Sequence, residues 1–283
     1  MKNFFIVGLL FLNIACDNAK NNEEKKDTSQ TKIQECSSGE IKEARPTGDY
    51  NVLIWGDEFD IDGRPCPDNW FHETVPPNNG SWWNNEFQHY TNREENSIVE
   101  NGVLKIIARK ENYNGKQYTS ARLNTMNLFE FKYGKVEVKA KLPSGQGTWP
   151  ALWMLGANFD VVDWPFCGEI DILEHGNKEP GEVSSAVHLP NAEGNHYYRT
   201  ASLKIENESS AFHIYSAIWS PEKIEFFVDG VSYHIFEIKE GMPFDKPFYI
   251  LLNVAMGGDF TGNKVDPNFT SSAMEIDYVR VYQ

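Results

Sequence analysis

From about Tyr50 onward, apolar and polar positions alternate along the chain. In "YGKVEVKAKL" (133–142), Val136, Val138, Ala140 and Leu142 fall on one side and Lys135, Glu137, Lys139 and Lys141 on the other. This is the period of a strand with one buried face. The closing stretch "MEIDYVRVY" (274–282) repeats the pattern. Asn51–Trp55 reads as a strand that ends in the acidic turn Asp57–Asp60, and Gly102–Ala108 as a strand entered from an Asn-Gly turn. Lys223–Val231 runs through an Asp-Gly hairpin signal. Long helical periods are absent, and turn signals recur between the strands. The pattern predicts an all-β protein: two antiparallel sheets packed as a sandwich of about twelve to fifteen strands, in one domain over 49–283.

One stretch breaks the rhythm. In "GEIDILEH" (168–175), Glu169, Ile170, Asp171 and Ile172 alternate acid and apolar, so a third acid is due at 173. Leu173 stands there, and the acid comes one residue late, at Glu174. A β-bulge near Ile172–Leu173 would return Glu174 to the face that carries Glu169 and Asp171. Three carboxyls that close cannot all ionise cheaply, and the one in the least favourable surroundings keeps its proton. A protonated carboxyl beside a carboxylate is what glycoside hydrolysis requires, although an acidic, solvated strand face has the same spacing.

Charge and composition narrow the partners. Net charge is −15, which disfavours nucleic acid and polyanions and suits a neutral substrate. There are eight Trp. Trp55 and Trp219 lie in apolar strands and are expected in the core. Trp149, Trp153 and Trp164 flank the acids and are expected to stack on sugar rings.

The first residues read as an export signal: Lys2, then the short apolar run Phe4–Leu12, then "NIAC" (13–16). This resembles a bacterial lipoprotein signal, with Cys16 as the lipidated residue. It places the protein in the cell envelope, attached to a membrane only through that lipid. Residues 17–48 are polar and of mixed charge and are expected to be a tether. Cys36, Cys66 and Cys167 then allow at most one disulfide and one free thiol, and spacing does not name the pair.

The stretches "LIWGDEFD" (53–60), "WWNNEFQHYT" (82–91), "TSARLNT" (119–125), "YGKVEVKAKLPSGQGTWPALWMLG" (133–156), "WPFCGEIDILEH" (164–175), "SSAVHLP" (184–190), "LLNVAMGGDFTG" (251–262) and "MEIDYVRVYQ" (274–283) together resemble glycoside hydrolase family 16, in its laminarinase-like branch. Leu173 departs from the Met frequent in that motif, a swap that conserves volume. The resemblance implies a β-jelly roll with a concave groove, and a monomer acting on β-1,3-glucan by retaining double displacement. Carried over, Glu169 is the nucleophile, Asp171 its supporting acid and Glu174 the acid/base, its proton held partly by the charge of Glu169. Such a pair needs carboxyls about 5–5.5 Å apart. His188 resembles an active-site histidine. Arg122, Asn85 and Asn253 resemble groove residues that bind sugar hydroxyls. Glu58, the Gly102 carbonyl and Asp277 match a structural calcium site, with no catalytic cofactor expected. Two rival readings stand beside this one. One is the same chemistry on mixed-linkage β-glucan or a galactan such as agarose. The other is a non-catalytic polysaccharide-binding protein.

Overall fold

The computed structural model describes residues 50–176 and 179–283. The expected signal, the tether and Cys16 lie outside the described residues. Strands in chain order are β1 (Leu53–Asp57), β2 (Phe71–His72), β3 (Gln88–Tyr90), β4 (Ser97–Glu100), β5 (Val103–Tyr113), β6 (Lys116–Ser120), β7 (Arg122–Asn124), β8 (Gly134–Lys141) and β9 (Thr148–Gly156). They continue as β10 (Glu169–Glu174), β11 (Glu182–Pro190), β12 (His196–Lys204), β13 (His213–Trp219), β14 (Lys223–Val228), β15 (Val231–Glu237), β16 (Phe248–Met256) and β17 (Ser271–Tyr282). The described residues thus hold more strands than expected, because short edge strands such as β2 and β3 carry no periodic signal of their own.

The strands form two sheets. One is ordered β15-β14-β13-β8-β17-β5-β6-β3, with β1 also on β17 and β4 also on β5; the other is β12-β11-β10-β9-β16-β7-β2. Pairing is antiparallel except between β3 and β6, which run parallel. The hairpin turns follow from backbone freedom. Asn101-Gly102, Asn114-Gly115 and Asp229-Gly230 each hold two successive residues at positive φ, which matches the twist of the strands they join.

The main core lies between the sheets. Strand β8 alternates buried and half-buried residues along its whole length, as its sequence predicts. Trp219 is buried against Phe131, Tyr133 and Phe248, and its indole N–H donates to the Phe244 carbonyl. Trp55 is buried and stacks on Phe129. In contrast, β16 is buried at every position, and β9 at all but one. Both faces of the seven-stranded sheet are therefore covered at its centre: one by the core, the other by a layer of polar and aromatic side chains.

Cys66 is disulfide-bonded, to a partner outside the described residues, and Cys167 is a buried free thiol. The three residues expected to hold calcium come to one end of the ten-stranded sheet. Ile276 stands opposite Leu104, next to the Gly102 turn, and Asp57 opposite Val279. Both carboxylates face side-chain cations there. Glu58 accepts two bonds from Arg280, at 2.7 and 2.8 Å, and Asp277 pairs with Lys139.

Candidate active site

The slipped acid has a structural cause. Against β9, Asp171 stands opposite Trp153 and Leu173 opposite the very next residue, Leu152, so Ile172 is one residue too many. Against β11, Asp171 is opposite Ala186 and Glu174 opposite Ser184, which shows the same extra residue from the other side. Both Ile172 and Leu173 are buried, and Glu174 stands opposite Ala151, which alternation places on the same face of β9 as Trp153 and Leu155, opposite the other two acids. Register then lays out the face in rows. Arg122, Asn253, Ala151, Glu174 and Ser184 share one row. Asn124, Leu251, Trp153, Asp171 and Ala186 form the next. Tyr249, Leu155, Glu169, His188 and Tyr198 form the third.

The acids have distinct partners. Glu169 accepts from the Trp164 indole N–H at 3.0 Å, and Glu174 from the Trp149 indole N–H at 3.1 Å. His188 Nε2 lies 3.1 Å from Asp171 and 3.7 Å from Glu169. One polar side-chain atom from each of Glu169, Asp171 and His188 falls within 4.8 Å of the others. Burial pushes Glu169 up to about 8, with Asp171 adding to it. Glu174 is also pushed up to about 8, by burial first and Asp171 second. The charge of Glu169 was expected to hold the Glu174 proton in part; withdrawal from water is the larger cause, with Asp171 next. Asp171, 4% exposed, is raised well above the carboxylate range by burial. A hydrogen bond to the charged form, as Trp164 gives Glu169, favours that form.

Around the acids the structure separates residues that the sequence grouped. Trp164 is 39% exposed and offers ring surface. Trp149 does not: Phe260 stacks on it with centroids 4.9 Å apart and planes 16° apart, leaving it 9% exposed. It therefore presents little surface for the sugar stacking expected of it, and its indole N–H goes to Glu174. The Trp153 ring lies under the Arg122 guanidinium at 4.8 Å, and Arg122 pairs with Glu73 at 3.0 Å. Asn85, expected to bind hydroxyls, gives its amide to both oxygens of Asp259, at 3.0 and 3.1 Å.

Asn253 sits in a relay whose polarity is forced. An indole can only donate, so Trp153 N–H fixes Asn253 Oδ1 as acceptor, at 2.8 Å. Asn253 Nδ2 then donates to Tyr90 Oη at 3.2 Å, and Tyr90 donates to Glu86 at 3.1 Å. Gln88 donates to the same Glu86 oxygen at 2.6 Å and accepts from the Met256 N–H. Glu86, Gln88 and Tyr90 were missed in the sequence, although their spacing of two in "NEFQHY" marks one face of a strand. His196, whose Nε2 is 2.8 Å from His188 Nδ1, had no comparable signal. Trp83, 47% exposed, is a further aromatic that spacing alone did not single out.

Comparison with known proteins supplies the context. The family model described as glycosyl hydrolases family 16 matches residues 84–280. A beta-glucanase of Rhodothermus marinus is 40% identical over 247 residues, covering 82% of this chain and 85% of that protein. Among solved structures, a LamA variant from Zobellia galactanivorans in complex with laminaritriose and laminaritetraose is 44% identical, with a TM-score of 0.78, covering 83% of this chain and 100% of that one. A laminarinase from Flavobacterium sp. UMI-01 is 40% identical, with a TM-score of 0.74, covering 82% of this chain and 100% of that one.

The raised acids make a prediction about stability. Between 4.5 and about 8 the folded protein holds protons on Glu169 and Glu174 that the unfolded chain has released. The stability they contribute is complete below pH 4.5 and is lost as pH rises through about 8. Glu174→Gln stays neutral throughout. Its melting temperature should therefore exceed that of the parent by a margin that widens as pH rises across that window. Parallel melting curves would show that Glu174 titrates as an ordinary carboxyl.

Proposed function

The chain belongs to the glycosyl hydrolases of family 16, and on that premise we propose that it cleaves β-1,3-glucan at internal bonds with retention of configuration. The observation that carries the proposal is the bulged strand β10. Its extra residue gives Glu169 and Glu174 to one face, each with its own indole donor. The reacting form has Glu174 protonated and Glu169 ionised, the state that the Trp164 N–H favours on Glu169. In the first step Glu174 delivers its proton to the glycosidic oxygen while a Glu169 carboxylate oxygen bonds to the anomeric carbon and the C–O bond to the leaving sugar breaks. Asp171, kept protonated by burial, can donate to Glu169 rather than repel it. In the second step a water adds to the anomeric carbon and gives its proton to Glu174, and the Glu169 ester is released.

Substrate is assigned from the laminari-oligosaccharides bound by the related LamA variant and from the related laminarinase, together with the neutral-substrate argument from charge. Laminarin should be cut into short oligosaccharides, with mixed-linkage lichenan slower and agarose untouched. Glu169→Gln and Glu174→Gln should each lose about 10²–10⁴-fold or more in turnover. Binding of laminarin without release of reducing ends by the parent would favour the polysaccharide-binding reading. Activity on agarose alone would overturn the substrate.

A structural calcium ion is proposed at Glu58, the Gly102 carbonyl and Asp277, where oxygen donors suit that ion. The register that brings the three together supports it. The ion would take the place of Arg280 and Lys139 as partner of the two carboxylates. Binding to the folded state alone stabilises by mass action. Calcium should therefore raise the melting temperature of the parent and have less effect on Asp277→Ala. Identical curves with calcium and with chelator would remove the ion from the account.

A further inference from the structure

Trp149 gives its N–H to Glu174, and that indole is held from outside the strand by a loop that no part of the reaction above uses. Residues 257–263 cross from β16 over the edge of the face. Phe260 lies parallel to Trp149, centroids 4.9 Å apart. The Phe260 ring also abuts Gly176, two residues after the acid: a Cβ there would sit 2.9 Å from Phe260 Cε1. Gly258 lets the loop approach, since a Cβ on it would lie 2.9 Å from the Asn84 carbonyl and 3.3 Å from Trp149. The loop is then tied down at Asp259. Its carboxylate accepts from the Asn85 amide at 3.0 and 3.1 Å, and its backbone N–H donates to the Asn84 carbonyl at 2.9 Å. Asn84 and Asn85 are both at positive φ, a conformation that turns this segment toward the loop.

We propose that Phe260 is a positioning residue for acid/base catalysis: fastened by the Asp259–Asn85 contact, it clamps the Trp149 indole so that its N–H stays aimed at Glu174. An indole ring pinned on one face by stacking and on its edge by the hydrogen bond has little freedom to rotate. Without Phe260 the ring can swing into the space the phenyl group leaves, and Glu174 loses its one indole donor. The other charged or titratable groups that act on Glu174 are Glu169 and Asp171 on its own strand and His188 on β11, with Tyr233 on β15 beyond the sheet. The Trp149 hydrogen bond works against the burial that raises Glu174. Its loss should leave the acid holding its proton to higher pH and poorly aimed at the glycosidic oxygen.

The inference rests on the hydrolytic reading above, and leaving-group dependence tests it separately. Turnover is measured for the parent, Phe260→Ala, Phe260→Tyr, Asp259→Ala and Trp149→Phe on laminarin and on a dinitrophenyl β-laminaribioside, whose leaving group departs without protonation. For Phe260→Ala, kcat on laminarin should fall about 10-fold or more with KM little changed, while kcat on the activated glycoside falls much less. The alkaline limb of the laminarin pH profile should move to higher pH. Trp149→Phe keeps the stack and removes the donor, so it should reproduce both effects. Phe260→Tyr should restore the parent behaviour, and Asp259→Ala should lie between. Equal losses on both substrates with an unmoved pH profile, or parent-like kinetics in a folded Phe260→Ala, would overturn the proposal. A parent inactive on both substrates would instead refute the hydrolytic reading itself.

Discussion

A strand can show one face to a groove only at every second residue, and β10 has to show three acids while keeping Ile170, Ile172 and Leu173 in the core. The inserted Ile172 resolves that conflict. It gives the core one additional apolar side chain and advances the phase of the strand, so that Glu174 returns to the outer face. Other features of the site follow from that position. Trp149 on β9 meets Glu174, Trp164 meets Glu169, and His188 on β11 reaches Asp171 because register puts the neighbouring strands level with the bulge.

Burial gives the face its chemistry. The layer above the seven-stranded sheet is polar in composition yet largely withdrawn from water: Arg122, Asn253, Asp171 and Glu86 are all buried. Each of these has a side-chain partner close by. Arg122 has Glu73, Asn253 bridges Trp153 and Tyr90, Glu86 takes two donors, and Asp171 faces His188. Asn253 and Glu86 are held in fixed directions by their hydrogen bonds, whereas Arg122 Nε and Asp171 Oδ2 have charged neighbours without a well-directed hydrogen bond, a costly arrangement in a buried layer. The same withdrawal from water raises Glu169 and Glu174, so stability is given up at the site where proton transfer is needed.

Much of this was legible in the sequence, for definite reasons. Strand β8 alternates because one face meets the core and the other meets solvent, and β17 follows the same rule. The three acids and their bulge could be read because a period of two leaves no other place for Glu174 on the outer face. What escaped had its cause in the partner rather than in the residue. Nothing local in "GTWPALW" says that Phe260, more than a hundred positions later, covers Trp149, and nothing near Asn85 points to Asp259. Strand β5 runs on to Tyr113, well past the end of its apolar alternation at Ala108, because the Asn114-Gly115 turn folds β6 back onto it. The continuous apolar run of β16 gave no facing, since both of its faces are covered.

The central claim is that the phase of β10, set by one extra residue, makes Glu174 the proton donor. The most direct measurement is laminarin turnover by the exchange variant Leu173→Glu/Glu174→Leu, with its fold verified by thermal melting. Composition and charge are unchanged, but the carboxyl is moved to the buried position of Leu173. The account predicts a loss of about 10²–10⁴-fold, equal to removing the acid outright. Turnover close to that of the parent would show that the position of Glu174 beyond the bulge does not carry the reaction.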